Sequence, residues 1–181
     1  MNNGHVAALV LAAVLLFWAL GAHNRLVAQR NVIAQAWVRV MEALRQRATV
    51  AQPLVAALRE PLAAEHGALD NLLLTHEAAL RAAADMSARP VLPVNAQAWV
   101  AAEAAVAAAA TRLLSLLEQH PGVLAEEPVA GLVATWNEAQ ARLPFARQLF
   151  NQEAAAYNDA VALVPTCWLA RALRFQPAGL L

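Results

Sequence analysis

The stretch AHNRLVAQRN, residues 22–31, leaves an uncharged apolar run and enters a polar sequence with no proline or glycine to break a helix. Asn24 and Asn31 lie seven residues apart, two helical turns, and so share one face. The segment FARQLFNQEAAAYNDAV near the other end of the chain repeats the pattern with Asn151 and Asn158. In an antiparallel helix pair, opposed positions have a constant index sum. Here 24 and 158 add to 182, and so do 31 and 151. The spacing predicts two cross-helix asparagine layers, Asn24 with Asn158 and Asn31 with Asn151, that fix register at some cost in stability. Solvent exposure, or local bonding to backbone, is the competing expectation.

The run before this stretch, VAALVLAAVLLFWALGA at residues 6–22, has no charge and no strongly polar side chain. Seventeen residues at about 1.5 Å rise give roughly 26 Å, the lower limit for a membrane-spanning helix. A cleaved signal peptide is the alternative. It would want a basic leader, which MNNGH lacks, and small residues at both positions flanking the cut, whereas a cut after Ala22 puts Leu20 in one of them. The reading is an uncleaved single-pass anchor. Arg25 and Arg30 follow the run and no Arg or Lys precedes it. That bias places the N-terminus outside and the bulk of the chain in the cytoplasm.

Everything beyond the anchor reads as helix. Leu26, Ile33, Trp37, Val40, Leu44 and Ala51 make one apolar stripe over about 23–51, continuous with the anchor. Pro53 suits the first turn of a second helix running to about Ala88, bent at Pro61. Residues 88–95, ARPVLPVN, form a loop with Asn95 as N-cap of a third helix over about 96–119. That helix is rich in alanine, the best helix former. A fourth runs from about 129 to 164, kinked at Pro144 and ended by Pro165. The fold class is therefore all-α: a transmembrane helix continuing into an antiparallel up-and-down bundle of about four long helices. The divisions are a short tail (1–5), the anchor (6–22), the bundle (23–165) and an amphipathic C-terminal tail (166–181). In that tail Trp168 and Phe175 with Arg171 and Arg174 suit a membrane interface. Packing back on the base of the bundle suits them equally.

The chain's 181 residues carry 13 acidic and 13 basic side chains, so no bulk charge favours nucleic acid. One cysteine, Cys167, excludes an internal disulfide and any multi-thiolate metal site. No Glu has His three residues on, the di-iron signature of bundles, and no phosphate loop or nucleophile elbow occurs. His66 and Asp70 are one turn apart, a spacing more common in surface pairs than in metal sites. No cofactor, metal or small-molecule ligand is expected. Trp37, Trp99 and Trp136 read as core.

HNRLVAQRNVIAQAWVRVMEALRQR (23–47) resembles the start of LemA-family proteins, through Asn24, Leu26, Val27, Arg30, Asn31, Ala36 and Trp37. His23 stands where the family has tyrosine. The second block, QARLPFARQLFNQEAAAYNDAV, fits through Arg142, Ala146, Arg147, Asn151, Tyr157 and Asn158, and the tail from Pro165 to Pro177 is similar too. The middle, RQRATVAQPLV, lacks the family's Asp and Asn. The resemblance implies a bacterial inner-membrane protein with an antiparallel helical bundle and no defined enzymatic activity. The expected function is a scaffold or adaptor that meets the lipid bilayer and either another membrane protein or itself. An accessory, client-holding role in membrane proteolysis or envelope stress is the runner-up, and a cofactor-binding bundle enzyme a distant third.

Overall fold

The computed structural model describes residues 3–181. Six helices follow in order: α1 (Asn3–Leu58), α2 (His66–Ala88), α3 (Pro93–Gln119), α4 (Pro121–Ala125), α5 (Val129–Ala162) and α6 (Thr166–Ala172). A single 3₁₀ turn, Ala63–Glu65, precedes α2. No strand occurs among the described residues. α1, α2, α3 and α5 form the expected up-and-down bundle, with α1 along α5 and α2 along α3 as the main packed pairs.

α1 does not stop before Pro53. Its 56 residues enclose that proline, and the turn comes after Leu58, around Pro61. Pro53 forfeits one backbone hydrogen bond. It lies on the solvent face, while Val50, Ala51, Leu54, Val55 and Leu58 continue the buried stripe on both sides of it. Burying each of the valines and leucines contributes about 1.5–3 kcal/mol, which outweighs the lost bond. Pro144 is likewise inside α5. α3 starts at Pro93, earlier than the sequence suggests. Asn95 is not its N-cap; its amide instead donates to the Asp85 carbonyl at 2.9 Å and so ties the end of α2 to the start of α3.

The apolar first part of α1 stands clear of the bundle. Its most apolar 18-residue window has a mean hydropathy of 2.3, with none of it buried. Leu11, Leu16 and Phe17 are more than half exposed. A side chain set this apolar and this uncovered is what a lipid-facing anchor requires. α3 is also long and apolar, with a mean hydropathy of 1.6, but it packs on α2 and holds a charged side chain, Glu103, in the core.

The core divides in two. A membrane-proximal cluster gathers Leu26, Ile33, Trp37, Met86, Trp99, Phe150 and Tyr157. A distal cluster gathers Leu54, Leu58, Leu69, Leu72, Leu113 and Trp136. Trp37 sits edge-on to Trp99 and Phe150, with centroids 5.3 and 6.0 Å away. Between the clusters lies a polar layer drawn from all four long helices. Arg47 of α1 makes two hydrogen bonds to the Glu103 carboxylate of α3, at 2.6 and 2.8 Å. Its Nη1 also donates to Gln140 of α5 at 3.1 Å. Arg47 and Glu103 are 1% and 5% exposed. His76 of α2 completes the layer, edge-on to Trp136 at 6.4 Å.

Neither ring nitrogen of His76 has a hydrogen-bond partner. The neutral ring serves as an aromatic filler. Burial, and then the nearby Arg47 charge, lower its pKa from 6.5 to about 4; Glu103 and Glu77 oppose the shift. Between those two values the unfolded chain binds a proton that the folded chain does not. Stability therefore falls as pH drops through this window. We expect His76 to account for about 2–3 kcal/mol of the loss between about pH 7 and pH 4.5. Denaturant unfolding of the parent and His76→Phe at both pH values checks this: the variant should lose that much less.

Candidate functional site

The membrane-proximal end is made by four pieces: α1 from about residue 22, the α2–α3 connection, the end of α5, and α6 with the segment after it. The asparagines hold this end together, but not as pairs. Asn24 and Asn31 are exposed. Asn158 binds both backbone groups of one residue in the C-terminal segment: its Nδ2 donates to the Ala178 carbonyl at 3.0 Å and its Oδ1 accepts from the Ala178 N–H at 2.6 Å. Asn151 does the same to Leu181, at 2.8 and 2.7 Å. Each amide imitates a strand neighbour.

The spacing now has a different reason. Seven residues of helix rise about 10.5 Å. A repeat of three residues in extended chain, as in polyproline II, covers about 9 Å and returns the backbone to the same side, which lets both Ala178 and Leu181 meet α5. Asparagines two turns apart on α5 therefore fit every third residue of an antiparallel extended strap. The expected index sum fails with the layers. Arg30 and Tyr157, Trp37 and Phe150, and Arg47 and Gln140 are the observed partners, and each pair of numbers adds to 187, five residues from 182.

Tyr157 is the third fastening. Its hydroxyl donates to the Gln176 carbonyl at 2.9 Å and accepts from Arg30 Nε at 3.0 Å. The Arg30 guanidinium lies 4.4 Å over the Phe175 ring, a cation–π contact of about 0.5–2 kcal/mol. His23 meets the same ring edge-on at 5.6 Å. Gly179 passes so close to α3 that an added Cβ would come within 2.7 Å of the Ala96 Cβ and 2.8 Å of the Pro93 Cα. Only glycine fits that crossing. Arg147 has its guanidinium 5.6 Å from the Trp99 ring and lines a surface cavity with Asn151, Leu180 and Leu181.

The four residues read as an interfacial tail part company. Trp168, Arg171 and Arg174 are exposed, with Trp168 at 65%. Phe175 is not at an interface; it is buried in the bundle. The cause is the turn that ends α6. Phe175 N–H bonds the Ala170 carbonyl at 2.8 Å and Arg174 N–H the Arg171 carbonyl at 3.2 Å, the two bonds of a Schellman motif. That turn reverses the chain and sends Phe175 inward, leaving Trp168 on an outer surface with Leu163, Val164 and Leu173. α6 packs against α1, and Thr166 faces Phe17, Trp18 and Gly21 across a small cavity. The start of α6 thus adjoins the apolar part of α1. Cys167 is half-buried there and free.

No group of three or more His, Cys, Asp or Glu with metal-site geometry occurs among the described residues. His66 bonds the Arg59 carbonyl at 3.0 Å, while Asp70 pairs with Arg59 at 2.6 Å, so the two are spent on one turn.

The strap makes a direct prediction. Asn151→Ala and Asn158→Ala should each cost about 1–3 kcal/mol and speed hydrogen exchange in residues 176–181. Asn24→Ala and Asn31→Ala should stay within about 0.5 kcal/mol of the parent in the same assays.

Comparison with known proteins adds one finding. No curated protein matches the sequence. The model of the LemA family matches residues 36–181, a range that begins beyond Asn24, Arg30 and Asn31 but takes in Trp37, the whole second motif block and the strap. The chain belongs to the LemA family.

Proposed function

We propose that this protein is a membrane-anchored scaffold or adaptor that works by contact and not by catalysis. One observation carries the reading: a single unbroken helix, Asn3–Leu58, is the free apolar anchor at one end and a core element of the bundle at the other. At about 1.5 Å per residue it is roughly 84 Å long. A bundle built on such a helix stands at a fixed height and attitude on the membrane. A flexible linker would be the simpler choice for an enzyme that only needs tethering. Supporting this, the polar side chains inside the bundle serve its own structure: Arg47 binds Glu103 and Gln140, and the strap takes Asn151, Asn158 and Tyr157.

The membrane in this reading is the bacterial inner membrane, crossed once. Arg25 and Arg30 beyond the anchor favour a cytoplasmic bundle and an outside N-terminus. The partner is another membrane protein or a second copy. Apolar side chains on the outer faces of α1 and α5, Val38 and Phe145 among them at 60% and 71% exposure, are the surface offered to it.

Chemical crosslinking of the full-length protein in native membranes, read by mass spectrometry, tests the proposal. A recurrent protein partner, or self-crosslinks, at the Val38 and Phe145 faces is the expected result. Crosslinks to no protein at stoichiometric yield would overturn it.

A further inference from the structure

We propose that the membrane-proximal end of the bundle carries an anion site that takes a phosphate group. A cavity of about 460 Å³ opens between α1, the α2–α3 connection and the turn after α6. Arg30 of α1, Arg89 of the connection and Arg174 of the turn line it, with Asn31 and Gln176 as further polar lining and no acidic residue. Among the described residues, eight arginines have no carboxylate within ion-pair distance, and three of the eight, Arg30, Arg89 and Arg174, line this one cavity. Three uncompensated cations around one cavity repel one another and raise its potential. A bound anion reverses the sign of that term.

Two features mark the cluster as built. Arg174 has a φ of 57°. It occupies the left-handed position of the Schellman turn, where glycine is the usual residue and a side chain strains the backbone. The chain keeps a strained arginine there, at the edge of the cavity. Arg30, in turn, is held from behind. Its Nε is bound to the Tyr157 hydroxyl and its guanidinium lies over Phe175, and it makes no other hydrogen bond among the described residues. A guanidinium so immobilised presents its Nη groups with little entropy left to lose. Arginine forks match phosphate oxygens two at a time, and three cations exceed the charge of a single carboxylate. The site also gives Asn31 a use that neither register nor the strap supplies.

Arg30 lies eight residues past the end of the apolar run, about 12 Å along α1. The phosphate of an anionic lipid and a soluble phosphate are both within reach at that height. The inference stands whether or not the adaptor has a protein partner.

The test uses full-length protein in phosphate-free maltoside micelles. Inorganic phosphate is titrated against chloride at equal ionic strength, and phosphatidylglycerol is added in a separate arm. The readout is hydrogen exchange in residues 88–92 and 174–176, with thermal unfolding alongside. Slower exchange is expected in at least one arm. Arg89→Gln and Arg174→Gly should each weaken that response about tenfold, while Arg39→Gln, on an outer face of α1, leaves it intact. In chloride, Arg174→Gly should be at least as stable as the parent, because it relieves the left-handed position; loss of its response is then not misfolding. A response to inorganic phosphate names a soluble phosphate as sufficient. A response to phosphatidylglycerol alone names the lipid headgroup. No response in either arm, or one that Arg89→Gln and Arg174→Gly do not change, overturns the site.

Discussion

A buried arginine–glutamate pair has one acceptable arrangement, and this bundle is arranged around it. Arg47 and Glu103 are stripped of water, and their attraction offsets that cost only while both hydrogen bonds form. Sliding α1 against α3 by one turn would leave two bare charges in an apolar core, at about 3–5 kcal/mol for the broken pair. Gln140 extends the same condition to α5, and the ring of His76 to α2. Apolar stripes of Leu, Val and Ala tolerate small slips, because one methyl group replaces another with little penalty. The polar layer does not. It separates the two apolar clusters and sets the alignment in which Trp37 meets Phe150 and Arg30 meets Tyr157.

The alignment has consequences at the membrane. Arg30 and Tyr157 must coincide for the strap to be fastened at Gln176, and only then does Phe175 lie under the Arg30 guanidinium. The strap in turn crosses the first turn of α3 at Gly179. Anchor helix, bundle and C-terminal segment therefore close into one body at the end nearest the bilayer. A partner or a lipid that binds there meets a surface formed by pieces remote in sequence, positioned by a layer several turns away.

Much of the architecture is legible in the residues. The uncharged run, the three-and-four stripes and the proline-bearing loops give the apolar helix, the bundle and two of its three long-helix connections; the first, expected at Pro53, falls after Leu58. What misleads is a signal without its partner. Asn151 and Asn158 look for amides, and the amides visible as letters are side chains of asparagine and glutamine; the backbone of Ala178 and Leu181 leaves no trace in the alphabet. Pro53 reads as a helix start because its cost is local, while the burial of Leu54, Val55 and Leu58 that offsets it is tertiary. Glu103 was within reach: it stands four residues after Trp99 and three before Val106, on the stripe that must be buried, in a run otherwise of small apolar residues. A charge on that face demands a countercharge, and Arg47 occupies the corresponding face of α1. The arginine cavity was beyond reach, since its three members come together only through the turn after α6.

The most direct test of this account is a comparison of crosslinking rates in membranes, with Cys167→Ala as background. Cysteines at 29 and 156, where the Gln29 side chain meets the Ala156 carbonyl at 3.5 Å, report the observed alignment. Cysteines at 31 and 151 report the alternative one. Both pairs are measured with the polar layer intact and with Arg47→Met and Glu103→Leu together. The account predicts a strong preference for 29 with 156 that weakens when the layer is removed, while the bundle stays folded. An equal preference with and without the layer would contradict it, and would place the control of register in the apolar packing alone.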